Sequence, residues 1–166
     1  MVRVTVSLAL CVMLGGCAFA KVQQPDQGLY RVRKERSFEA TPSQMVQAMK
    51  RAYEKAKYSV DESGQDPSMV ISKNRDIPII QGCDCGSWNG AKVYGTANSR
   101  LVASLGLEAD TNSIRVTLDH QCTTNFTGTN IYGAVTRRES YRCATTNKVE
   151  SDIWTAAEEA LAEMQK

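Results

Sequence analysis

The sequence predicts an α+β fold: a twisted antiparallel sheet with two helices packed on one face. Two observations carry this. Alternating apolar runs follow one another between residues 101 and 144, as strands joined by hairpins do. Helical periodicity occurs once before these runs and once after them. Helices at the ends of a strand run favour α+β over a wound parallel sheet, where helices and strands alternate.

Residues 29–39 predict the first strand, with Tyr30, Val32 and Phe38 as its apolar points. Thr41-Pro42-Ser43-Gln44 then predicts a helix start. Thr41 is the N-cap, Pro42 sits at N1, and Gln44 at N3 completes a capping box. Met45, Ala48, Met49, Ala52, Tyr53 and Ala56 follow on one helical face. The methionines could line an adaptable binding groove; the stripe reads better as core. Tyr58-Ser59-Val60 and Met69-Val70-Ile71 predict short strands around a turn from Gly64 to Pro67.

Residues 81–100 read as a loop. They hold Cys83, Cys85, Trp88, Asn89, Tyr94 and four glycines. Leu101, Ala103, Leu105, Leu107 and Ala109 alternate and predict a strand. After a turn at 110–113, Ile114, Val116 and Leu118 predict its hairpin partner. Residues 135–144 predict a third strand, with Val135, Tyr141 and Cys143 on one face. In the last segment Val149, Ile153, Ala157, Ala160, Leu161 and Met164 share a helical side, with Trp154 at its edge. Asn147 would cap this helix, with Glu150 bonding back to it. This element order resembles the helix-grip domains of several envelope lipoproteins.

The N-terminus carries an address. Arg3 supplies a positive n-region, and Val4 to Leu14 form a short apolar h-region. That run is shorter than the roughly 20 residues a membrane-spanning helix needs. Leu14-Gly15-Gly16-Cys17 resembles a lipobox, the processing site of bacterial lipoproteins. The resemblance implies removal of residues 1–16 and lipidation of Cys17. It makes residues 17–28 a polar lipidated tether and 29–166 a single α+β domain. It also implies a lipid anchor in the bacterial outer membrane facing the periplasm, because Ala18, not Asp, follows Cys17. An ordinary signal-peptide cut after Ala18 or Ala20 is the alternative, and would discard Cys17.

Lys and Arg total 20 and Asp and Glu total 18, and removal of Arg3 brings the two still closer. A balanced surface argues against nucleic acid as a partner, since binding phosphate backbones needs a concentrated basic footprint. The basic stretch Tyr30 to Arg36 reads as a solvated strand face beside the membrane.

Of six cysteines, Cys11 lies in the signal and Cys17 takes lipid. Cys83, Cys85, Cys122 and Cys143 remain, and an even number in an exported domain predicts two disulfides. Cys83 and Cys85 should each pair with one of Cys122 and Cys143, tying the 81–100 loop to the strands. A soft-metal site for zinc or copper, using Cys83, Cys85, His120 and Cys122, is the competing reading. Its one-residue Cys spacing departs from zinc knuckles, and it leaves Cys143 odd.

His120 is the only histidine, and strand alternation puts it on the inward face with Leu118 and Cys122. A Cys122–His120 nucleophile pair would need a free thiol, which a disulfide consumes. There is no phosphate loop, helical His pair or nucleophile elbow, so no catalytic residue and no cofactor is assigned. The expectation is a non-catalytic, membrane-anchored binding or assembly module of the envelope. Its partners would be the membrane, through lipid, and envelope proteins or cell-wall material. Trp88, Asn89 and Tyr94 form the candidate contact surface, because aromatics on exposed loops make recognition surfaces.

Overall fold

The structure is a computed structural model. It describes residues 23, 25, 34–63, 66–88, 91–108, 113–129 and 135–166, with residues 88, 128–129 and 135–137 described in backbone only. Strand β1 spans Glu35–Glu39 and helix α1 spans Pro42–Lys55. Strands β2 (Met69–Ile71) and β3 (Arg75–Pro78) precede a short helix α2 (Ile79–Gly82). Three two-residue strands follow: β4 (Cys83–Asp84), β5 (Ser87–Trp88) and β6 (Ala91–Lys92). The long strands β7 (Thr96–Leu107), β8 (Ser113–Thr129) and β9 (Val135–Thr145) lead into helix α3 (Lys148–Met164).

The fold is α+β, an open antiparallel sheet with helices against it. β7, β8 and β9 are sequential antiparallel neighbours. Such a meander follows from strands joined by short connections. β2 and β3 share the outer side of β7, while β1 and β9 occupy opposite ends of β8. β4 extends the sheet beyond β9.

α1 starts where its sequence chemistry requires. The Thr41 hydroxyl accepts from the Gln44 backbone at 3.3 Å, and the Gln44 side chain accepts from the Thr41 N–H at 2.9 Å. Met45, Ala48, Met49, Ala52 and Tyr53 are fully buried. They pack with Ile153, Trp154, Ala157 and Leu161 of α3 over Val70, Leu101, Ala103, Ile114, Val116 and Leu118 of the sheet. The stripe is core, and the helices cover one sheet face. Lys55 and Arg51 pair with Glu159 and Glu163 across the helix seam. Phe38 of β1 meets the Trp154 ring at 5.9 Å, and the Arg36 guanidinium lies 5.3 Å from the same ring.

Three expectations need correction. Residues 81–100 are not one loop: α2 ends at Gly82, and β7 begins at Thr96. Pairing of Arg75–Pro78 with Thr96–Ser99 extends β7 five residues ahead of its apolar run. Of the Tyr58–Val60 strand, only an isolated bridge from Val60 to Ser72 forms. Asn147 does not cap α3. It adopts the left-handed region at φ 69°, and its side chain makes no capping bond. A left-handed residue turns its side chain away from the helix start, and Glu150 bonds elsewhere. Of the expected 110–113 turn, residues 110–112 lie outside the described residues and Ser113 already opens β8; Cys17, Asn89 and the Trp88 side chain also lie outside them. Within the expected tether, Gln23 exchanges backbone hydrogen bonds with Ser87 at 2.9 and 3.0 Å.

Candidate functional site

The four cysteines sit where the sheet is irregular. Cys122 of β8 lies opposite Cys143 of β9 in the antiparallel register. β4 adds alongside β9, pairing Cys83 with Thr145. Cys85 follows one residue past the end of β4, which keeps both sulfurs within reach of the Cys122/Cys143 pair. The bonds are Cys83–Cys122, with Cα atoms 6.2 Å apart, and Cys85–Cys143, at 4.3 Å. All four sulfur-bearing residues are buried with Ile77, Ile79 and Ala97 in a second apolar cluster. Each bond ties the segment between β3 and β7 to the long strands, as the sequence leads one to expect.

That segment displays apolar surface. The Ile79 N–H donates to the Gly95 carbonyl at 2.9 Å, which brings α2 beside the start of β7. Their neighbours Ile80 and Tyr94 are 80 % and 74 % exposed, among the most exposed large apolar side chains described. Tyr94 belongs to the surface expected from sequence. Ile80 does not, because a helix turn within the loop was not foreseen.

Next to α2 a cleft of about 630 Å³ opens between the end of α1, β3 and the start of α3. Tyr58, Ile77, Val149 and Ala156 contribute apolar wall, and Arg75 and Gln81 contribute polar wall. Arg75 bonds the Ala56 carbonyl at 2.8 Å and lies over the Tyr58 ring at 5.2 Å. Neither of these partners is an anion, and Lys55, Lys148 and Asp152 complete the charged lining of the cleft.

Behind Tyr58 runs a buried polar chain. The Tyr58 and Ser99 hydroxyls are 2.7 Å apart, and Ser99 Oγ is 2.8 Å from His120 Nε2. On the other side His120 Nδ1 faces Glu150 Oε2 at 3.3 Å, in an ion-pair contact bent away from hydrogen-bond geometry. Burial pushes the Glu150 carboxyl up, but His120, Thr145 and the Glu150 backbone together outweigh it. They hold the carboxyl below the ordinary glutamate range. An ionised carboxylate at Nδ1 puts a proton on Nδ1, leaving Nε2 to interact with Ser99. Burial raises the Tyr58 hydroxyl above the usual tyrosine range, against the Ser99 bond and the Arg75 charge.

Ser99, His120 and Glu150 stand in the order of a nucleophile, base and orienting acid. Ser99 has no accessible surface, so no acyl carbon can reach its oxygen. The chain is an internal support. His120 lies inward beside Leu118 and Cys122, as alternation predicts, and its Nε2 is 3.4 Å from Cys122 Sγ. Gly82 lets α2 approach α3 and β3 closely: a Cβ there would come within 2.7 Å of Val149 Cγ2 and 3.2 Å of Ile77 Cδ1.

Of the soft-metal set read from sequence, Cys83, His120 and Cys122 converge, whereas the Cys85 sulfur is bonded to Cys143. Comparison with known protein-family models finds no match, and comparison with curated proteins finds none either. Among the described residues no helix is long and apolar enough to cross a membrane.

Proposed function

We propose that this protein is a non-catalytic binding or assembly module of the bacterial envelope. In this reading it is lipidated on Cys17, held in the outer membrane, and faces the periplasm. Its partners are envelope proteins or cell-wall material. One observation carries the reading: two buried disulfides clamp a segment that exposes Ile80 and Tyr94, and Gln81, next to Ile80, lines the cleft that contains Arg75. Rigid display of apolar side chains lowers the ordering cost of binding. Exposed apolar side chains near a cleft lined by Lys55, Arg75 and Lys148 suit a partner offering an apolar group next to a carboxylate or phosphate.

Two experiments test it. A photo-cross-linker placed at residue 94 or 80 of the lipidated protein should give one discrete adduct in its own envelope. The same probe at Glu62, which is exposed and pairs with Lys50 of α1 away from the cleft lining, should give none. Equal yield from all three positions would remove the proposed surface. Arg75→Gln should weaken the adduct more than its stability loss explains: it gives up the bond to the Ala56 carbonyl and the contact with the Tyr58 ring, together about 1–2 kcal/mol, while the protein stays folded at the temperature of the assay.

The anchor has its own test. Cys17→Ser should shift the protein from membrane to soluble periplasmic fractions or leave it unprocessed, because two or more acyl chains supply stable anchoring. An intact mass matching a mature chain without lipid would end the lipoprotein reading.

A further inference from the structure

The Cys83–Cys122 bond has a neighbour that a purely structural disulfide does not need. The sulfurs of Cys83 and Cys122 and a ring nitrogen of His120 lie within 4.8 Å of one another. All three residues are at least 95 % buried. The ring is oriented from behind: Glu150, also buried, faces Nδ1 at 3.3 Å while Nε2 looks toward Cys122 Sγ at 3.4 Å. A carboxylate on the far nitrogen of an imidazole is the usual support of a metal-binding histidine, since it fixes the tautomer and raises the basicity of the near nitrogen. A pocket of about 150 Å³, lined by His120, Cys122, Arg142, Cys143 and Thr145, borders the cluster.

We propose that Cys83, Cys122 and His120 form a three-coordinate Cu(I) site when the Cys83–Cys122 disulfide is reduced. This does not rest on the binding-module reading, and either can fail alone. A dithiol is the reductant. It supplies two electrons and two protons and becomes a disulfide itself; the Cys83–Cys122 bond breaks and each sulfur takes one proton. Cu(I) then displaces both protons to solvent and forms two Cu–S bonds and one Cu–N bond through Nε2. The Ser99 hydroxyl gives up its bond to Nε2 and keeps its bond to Tyr58. Copper does not change oxidation state.

The donor set selects the ion. Two thiolates and one imidazole are soft ligands, which favour Cu(I). Zinc prefers four donors, and among the described residues three converge here. Metal–thiolate bonds of about 2.3 Å place two sulfurs roughly 4 Å apart. The Cα atoms of Cys83 and Cys122 are already 6.2 Å apart, which permits that spacing by side-chain rotation. In an oxidising compartment the disulfide is the resting form, so copper uptake depends on prior reduction.

The test uses the full mature chain, reduced anaerobically with a dithiol, desalted, and titrated with Cu(I) against a chromophoric Cu(I) chelator. One Cu(I) per chain is expected for the reduced protein and none for the oxidised protein. X-ray absorption should show two sulfur neighbours and one nitrogen. Glu150→Gln should weaken binding about 10–100-fold, the usual cost of losing such a support, and His120→Asn should weaken it at least as much. No uptake, uptake by the oxidised form, or a shell of sulfur alone would overturn the proposal. So would unchanged affinity in folded His120→Asn. If that variant does not fold, the absorption spectrum of the unsubstituted protein decides, because it reads the nitrogen ligand directly.

Discussion

Glu150→Ala should destabilise the protein by about 1–3 kcal/mol, the cost of leaving a buried polar group without its partner. The substitution leaves the His120 Nδ1 proton buried against no acceptor and opens space where α3 meets β8. Denaturant midpoints measure the loss, and a change below about 1 kcal/mol would mean that His120 and Glu150 do not interact as the geometry shows. Replacing both with apolar residues of similar volume should cost much less, since no buried polar group is then left without its partner. The pair also predicts an acid dependence. The folded-state carboxyl lies below its ordinary range, so its stabilisation is complete above the unfolded-state value. It falls away as pH drops through the ordinary glutamate range toward the folded value. Melting temperature should therefore fall on acidification more steeply in the unsubstituted protein than in Glu150→Gln.

Removing the disulfides should have the other large effect. They close separations of 39 and 58 residues. In the chain-entropy model, loops of these lengths correspond to roughly 4 kcal/mol each, with native strain subtracting from it. Cys85→Ala/Cys143→Ala should lose up to that amount, and the loss should be local in character. Amide exchange should accelerate across 79–95, which few long-range strand bonds hold. It should change little across 101–107 and 113–118, which the α1–α3 core covers. Uniform acceleration would show that the clamp holds the whole sheet. Non-reducing peptide mapping should return Cys83 with Cys122 and Cys85 with Cys143.

The main architecture was legible because it rests on local patterns. Thr41, Pro42 and Gln44 specify a helix start through bonds within four residues. Met45 to Tyr53 on one helix, and Ile114, Val116 and Leu118 on one strand, specify their buried faces by period alone. The disulfide pattern followed from placing two cysteines on an irregular segment and two on the strands.

The polar chain was partly legible and was misread. Glu150 precedes Ile153, Trp154, Ala157 and Leu161 at offsets of 3, 4, 7 and 11, which puts it on the buried face. Its place in the first turn favoured a capping role instead, and only a partner from another element could reveal the difference. Ser99 shares the odd-numbered face of Ala97, Leu101 and Ala103. The flanking glycines and cysteines hid the strand that carries it. Ile80 and the cleft carried no periodic signal, because a four-residue helix gives too short a pattern to detect.

The sequence by itself determined the α+β class, the two helix faces, the strand alternation and the division of four cysteines between two regions. Each of these depends on spacing within one segment, where neighbouring residues set the period and the caps. Only the tertiary structure decided which cysteine bonds which, that His120 meets Glu150 and Ser99, and that Ile80, Tyr94 and the Arg75 cleft share one neighbourhood. Those contacts join residues tens of positions apart, and their register is set by sheet pairing and helix packing together.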